Sequence, residues 1–161
     1  MRRLADGLAS PRSRARNDGS RATSVLVLPP ETRRAIESWI LAGYPHETCG
    51  LLVGSSRDGR TETARATQAR NLNTERARDR YELDPKDYLA ADLGAREDGL
   101  EIVGVWHSHP DHPAQPSETD RAAAWEGFSY LIAEVTLQGV ATMRSWRLQG
   151  QTFVEEPITS S

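Results

Sequence analysis

The run GVWHSHP carries His107 and His109 two positions apart, and after seven intervening residues come Ser117 and then Asp120. In an extended segment alternate side chains share a face, so His107 and His109 project together while Trp106 and Ser108 point the other way. Two imidazoles at that spacing can grip one metal ion from the same side, and neutral imidazole nitrogen suits zinc. Ser117 and Asp120, three apart at an expected helix start, lie on a common face, which lets Asp120 supply a third ligand. Two histidines and one carboxylate leave a fourth tetrahedral position for water, as in catalytic rather than closed structural zinc sites. Zinc lowers the pKa of such a water to roughly 7 and polarises a carbonyl, so the chemistry implied is hydrolysis. A proton acceptor is still needed. Glu47, just ahead of an apolar strand, is the candidate by position.

Each of these residues also has a plainer reading. Ser117-x-x-Asp120 is a capping-box pattern for a helix after Pro116, the two histidines could be an inert strand face, and Glu47 alone would be an ordinary loop carboxylate. The shared spacing favours the metal. His112, in the proline-rich loop Pro110 to Pro116, is expected to be solvated, and His46 is given no role beyond adjacency to Glu47. Cys49 reads as a small core residue, and Trp39, Trp106, Trp125 and Trp146 read as core. The H-x-E and C-x-x-C pair of nucleobase deaminases, the H-E-x-x-H helix and the G-x-x-x-x-G-K phosphate loop are all missing from the sequence.

Taken together, Glu47 and His-x-His-x(7)-Ser-x(2)-Asp, in the contexts HETCGLLVG and GVWHSHP, resemble the JAMM or MPN-plus metalloproteases over about residues 25 to 156. The resemblance implies a cytidine-deaminase-like α/β three-layer sandwich, with a curved mixed β-sheet flanked by helices. It also implies one zinc ion on His107, His109 and Asp120, Glu47 as general base, and Ser117 as a holder of the oxyanion. Compact bacterial members act on ubiquitin-like sulfur carrier proteins. A groove that admits a Gly-Gly tail is consistent, because glycine lets an extended backbone approach the metal closely. The expected function is therefore hydrolysis of a peptide or isopeptide bond at such a carrier's C-terminus. A non-catalytic MPN-type scaffold and a small-amide hydrolase are the alternatives.

The elements that must position these residues are legible in outline. Ser24–Leu28 reads as a strand, Pro30–Gly43 as a helix with Ile36, Trp39 and Ile40 facing inward, and Cys49–Gly54 as a buried strand. A turn over Ser55–Gly59 leads to a strand at Thr61–Ala69. Asn71–Arg80 is a polar loop, Tyr81–Leu83 a short strand, and Pro85 to about Arg96 a helix capped by Asp84. Glu101–His109 is the most strand-like segment. A helix opens at Ser117, and strands follow at Phe128–Val135, Ala141–Leu148 and Thr152–Glu155. Helices among six or seven strands predict one mixed sheet covered on both faces.

The chain has 161 residues, 37% of them apolar, and a formal charge of −3. That suits one soluble domain and gives no electrostatic case for nucleic acid or a membrane surface as partner. No apolar stretch approaches the length of a membrane span. One cysteine excludes an internal disulfide framework. Residues 1–22 carry six arginines against Asp6 and Asp18, a charge of +4, leaving −7 for the rest. That basic segment is expected to be a disordered tail, followed by a domain over 23–157 and a short terminal tail over 158–161. Without an apolar run after Arg2 and Arg3, the protein is expected to be cytoplasmic.

Overall fold

The structure is a computed structural model that describes residues 23–161; the arginine-rich segment 1–22 lies outside the described residues. Eight strands and three helices follow in the order β1 (Val25–Val27), α1 (Pro30–Gly43), β2 (Cys49–Arg57), β3 (Arg60–Ala69), α2 (Pro85–Glu97), β4 (Glu101–Pro110), α3 (Glu118–Ala123), β5 (Ser129–Thr136), β6 (Gly139–Gln149), β7 (Thr152–Glu156) and β8 (Ile158–Thr159). The strands form one sheet ordered β7-β6-β5-β4-β2-β3-β1-β8. β4 pairs parallel with β5 and antiparallel with β2, so the sheet is mixed.

Alternation along β2 explains the layering. Leu52 joins Ile36 and Ile40 of α1, Trp106 and Leu131 on one face. Leu51, its neighbour, joins Ala91 of α2, Ile102 and Tyr130 on the other. Period-two side chains on a strand must serve opposite faces, so each helix covers its own side of the sheet. Gly50 is required by the first core: a Cβ there would sit 2.0 Å from the Thr67 carbonyl and 2.4 Å from the Trp106 indole nitrogen.

The sheet curls until its edges nearly meet. β7 pairs with β6 at one edge and β8 with β1 at the other, yet Pro157 alone separates them in the chain. A buried ion pair joins the same region: Arg147 Nε donates to Glu156 Oε2 at 2.9 Å, and Ser129 and Ser145 donate to Glu156 Oε1 at 2.6 and 2.8 Å. Arg147 also reaches Thr61 Oγ1 of β3, across the mouth of the curl.

Four sequence expectations are corrected. β2 runs on to Arg57, and the turn is only Asp58–Gly59, with φ of 51° and 78°. An Asp-Gly pair with both φ positive closes a two-residue hairpin and lets pairing resume at Arg60. Tyr81–Leu83 is not a strand: Leu83 makes a single bridge to Asn71, and the Glu82 N–H goes to the Asn71 side chain at 3.0 Å. β6 is longer at both ends than expected, beginning at Gly139 itself. Ile158–Thr159, expected in a terminal tail, forms β8, because β1 offers it an open edge.

Candidate metal centre

β4 delivers the two histidines as its alternation requires. Trp106 turns into the α1 core and stacks on Trp39 at 5.7 Å. Ser108 shares that face, and its Oγ accepts the Thr48 N–H at 2.9 Å while its own N–H donates to the Thr48 carbonyl at 2.9 Å. His107 and His109 share the opposite face, 1% and 2% exposed. Their Nε2 atoms are 3.0 Å apart. Asp120, from the first turn of α3, places Oδ1 3.4 Å from His107 Nε2 and Oδ2 3.3 Å from His109 Nε2.

Those three separations test whether the donors fit a metal. Atoms about 2.0–2.1 Å from a tetrahedral ion lie about 3.3 Å from one another; the two imidazole nitrogens are 3.0 Å apart, and Asp120 sets one oxygen 3.4 Å from His107 Nε2 and the other 3.3 Å from His109 Nε2, so its carboxylate faces both. The donor chemistry agrees. His109 Nδ1 lies 2.7 Å from the Pro113 carbonyl, which can only accept, so that nitrogen carries the proton and Nε2 presents a lone pair. Among the described residues His107 Nδ1 is buried without a partner. Tyr81 stacks on the His107 ring at 4.5 Å and fixes its plane.

Asp120 is held by the helix cap. The Ser117 N–H donates to Asp120 Oδ2 at 2.8 Å, and the Asp120 N–H donates to Ser117 Oγ at 3.0 Å. The capping and ligand readings are therefore one arrangement, because the cap sets the carboxylate rotamer. Burial pushes the Asp120 carboxyl up, but His107, His109 and the Ser117 N–H outweigh it and hold the group well below the usual carboxylate range. The Ser117 hydroxyl still has its hydrogen to donate, and the residue is exposed.

Glu47 lies beside this cluster, 4% exposed. Its carboxylate, a His109 nitrogen and a His112 nitrogen fall within 4.8 Å of one another. Burial pushes Glu47 up to about 8, against the pull of His109, and the negative charge of Asp120 adds to the rise. Its main chain is pinned on both sides: the Glu47 N–H donates to the Ala77 carbonyl at 2.5 Å, and Asn71 Nδ2 donates to the Glu47 carbonyl at 3.1 Å.

Sequence reasoning passed over three of these groups. Asn71 looked like one more polar loop residue, yet its amide also holds Arg80, Asn73 and Glu82 at 3.0–3.1 Å and so ties the whole loop to Glu47. Tyr81, expected in a strand, instead lies beside a single bridge at Leu83 and stacks on His107. His112, expected in solvent, is partly buried and stacks on His109 at 4.1 Å, with Nδ1 2.8 Å from the Pro110 carbonyl. Only the three prolines nearby hinted that this loop is stiff enough to hold it. His46, beside Glu47 in the chain, is exposed. Cys49 is a buried thiol that burial pushes up to about 12, which makes it unreactive.

With this geometry in hand, the comparisons with known proteins decide the family. The profile of the prokaryotic homologs of the JAB domain matches residues 29–149, which include every residue of the cluster. The chain belongs to the prokaryotic JAB-domain family. The desampylase of Haloferax volcanii is 41% identical over 129 residues, covering 77% of this chain and 89% of that protein. The CysO-cysteine peptidase of Mycobacterium tuberculosis is 30% identical over 136 residues, covering 83% and 90%. The solution structure of a Desulfitobacterium hafniense protein superposes with a TM-score of 0.73 at 26% identity, over 83% of this chain and 90% of that one. Such relatives are hydrolases of the JAMM kind, and this JAB domain is an enzyme of that kind rather than a bare scaffold. Among the described residues no helix is long and apolar enough to cross a membrane.

Proposed function

We propose that this JAB domain is a zinc-dependent peptidase that hydrolyses a peptide or isopeptide bond at the C-terminal tail of a ubiquitin-like protein of the sulfur-carrier type. The observation that carries the reading is the convergence of His107, His109 and Asp120 at tetrahedral separations, with the buried Glu47 beside them. Two relatives are named for work on small proteins, a desampylase and a CysO-cysteine peptidase, which supports a protein tail over a small amide. A free buried thiol as the sole cysteine suits a reducing cytoplasm.

In this reading His107, His109 and Asp120 hold the ion. Bound zinc supplies Lewis acidity and an acidified water. Glu47 accepts the proton of the attacking water on its carboxylate and returns it to the departing amine. Burial raises the Glu47 carboxyl in the metal-free site, and a zinc ion beside it would favour the charged form that accepts the proton. The Ser117 hydroxyl, exposed next to Asp120, donates to the oxygen on which negative charge develops. A Gly-Gly tail can lie against these groups because it has no side chains to clash.

The test is mass spectrometry of a sulfur-carrier protein bearing one C-terminal cysteine after Gly-Gly, incubated with the zinc-loaded enzyme. Loss of that residue is expected, and Glu47→Gln keeps zinc and loses turnover. An unchanged mass with zinc bound overturns the reading, and a panel of small amides then tests the alternative hydrolase.

A further inference from the structure

Two clefts open on either side of the cluster. One, of about 430 Å³, is lined by Ser117, Arg121, Trp146 and Phe153. The other, of about 470 Å³, is lined by His46, Arg76, Arg78, Asp79, Pro110 and His112. The second lies on the Glu47 side: His46 precedes Glu47, His112 shares its cluster, and the Glu47 N–H binds the carbonyl of Ala77, next to Arg78. A group that protonates the leaving amine must face that amine. The leaving group therefore enters the second cleft, and the carrier tail takes the Ser117 side.

The lining also includes Glu75, so two carboxylates face two guanidinium groups there, and these charges are unevenly satisfied. Arg76 is committed to Asp79 through two contacts, one of them Nε to Oδ1 at 3.2 Å. Asp111, next in the chain to Pro110 of the lining, accepts from the Tyr44 hydroxyl at 2.9 and 2.8 Å. Arg78 has no such partner. Among the described residues its nearest carboxylate is Asp111 at 3.9 Å, beyond hydrogen-bonding range, and its side chain is 69% exposed. A guanidinium fork without a bonded acceptor, over a cleft that receives an amine, is suited to a carboxylate carried close to that amine.

We propose that Arg78 recognises the free α-carboxylate of the leaving group, so that the enzyme prefers to trim one C-terminal amino acid from its carrier over parting isopeptide-linked proteins. This rests on the peptidase reading and deepens it. In a departing amino acid the carboxyl carbon is about 2.5 Å from the leaving nitrogen, fixed by the backbone bonds. A lysine ε-amine leaving from a folded protein carries no carboxylate there. Hydrolysis breaks the C–N bond and forms a C–O bond from water. The tail's last glycine stays on the carrier as its new C-terminal carboxylate, and the departing amine takes a proton. The amino acid is thus released as a zwitterion, whose carboxylate Arg78 neutralises.

The test uses one carrier in three forms: its final residue after Gly-Gly as a free acid, the same residue as an α-amide, and Gly-Gly joined to a lysine ε-amine. kcat/KM on the zinc-loaded enzyme, with binding of each form to zinc-loaded Glu47→Gln as a second readout, is expected to favour the acid over the amide about tenfold or more, mostly through KM. Arg78→Ala abolishes that ratio, Arg78→Lys keeps part of it, and the isopeptide form is unaffected by either change. Arg78→Ala retaining the acid-to-amide ratio, or wild type treating the acid and isopeptide forms alike, overturns the inference and leaves the peptidase reading standing. If none of the three forms is bound or cut, the peptidase reading fails, and the inference with it.

Discussion

Replacing Glu47 by glutamine separates the energetics of its burial from its role in turnover. In the metal-free protein burial has moved the Glu47 pKa from 4.5 to about 8. A folded-state pKa above the unfolded value means the contribution to stability is fully present below pH 4.5 and is lost as pH rises toward 8. Between pH 5 and 7 the wild type should therefore lose up to about 2.5 kcal/mol that the glutamine variant, which has no proton to give up, retains. Urea unfolding of chelator-treated wild type and Glu47→Gln at pH 5, 6, 7 and 8 measures it: the stability gap between variant and wild type widens with pH and levels off above about 8. Saturating zinc should narrow the gap, because a cation beside the carboxylate favours its charged form. A gap that stays constant across pH would show that Glu47 is not held in a costly environment, and the argument that its burial tunes it for proton transfer would fail. On the zinc-loaded enzyme the same substitution should lower kcat by roughly 10² or more.

Three further outcomes follow from the geometry. His107→Ala should reduce bound zinc from one equivalent to well below one by elemental analysis, since the cluster then keeps one imidazole and one carboxylate. Asn71→Ala removes four hydrogen bonds, one to the Glu47 carbonyl and three within the 71–82 loop; stability should fall by about 1–3 kcal/mol in denaturant, and kcat should fall with zinc content unchanged. Glu156→Ala strands Arg147, whose side chain is only 15% exposed; a loss of about 3–5 kcal/mol is expected, and Glu156→Gln should recover part of it by keeping the two serine hydrogen bonds.

The site was legible in the sequence to the extent that its geometry is local. Period two along β4 fixes which side His107 and His109 face, and an S-x-x-D pattern fixes a helix start, so both could be read without the fold. Glu47 is different. Its distance from the histidines is set by β2 pairing with β4, where Cys49 stands opposite His107, and no spacing rule encodes a pairing 58 residues away in the chain. Its place just ahead of an apolar strand made it the candidate base, and the family pattern agreed, but neither gives that distance. Asn71 and His112 were misjudged for one reason: each lies in a stretch whose own composition signals loop, and each acquires its place only when that loop folds back on the cluster; Tyr81 was misjudged the other way, since Tyr81–Leu83 reads as a strand but makes only a single bridge at Leu83. The missed β8 has the same origin, since a two-residue strand has no periodicity and exists because β1 presents an edge to it.

Ser117 is the residue at which local and tertiary readings meet, and its two duties can be separated. Its Oγ accepts the Asp120 N–H while its own N–H positions the Asp120 carboxylate; its hydroxyl hydrogen remains available to donate. Alanine removes both the cap and the donor, threonine keeps both, and glycine discards the hydroxyl while weakening an N-cap by only a few tenths of a kcal/mol. If the hydroxyl stabilises the developing oxyanion, Ser117→Gly and Ser117→Ala should lose kcat together, on the order of 10²-fold or more, and only Ala should also weaken zinc retention against a competing chelator. If instead the cap alone matters, Gly should resemble wild type in both measurements while Ala loses both. Activity that tracks zinc retention across Ala, Gly and Thr would assign Ser117 entirely to Asp120 and leave the oxyanion without a side-chain donor on this face of the cleft.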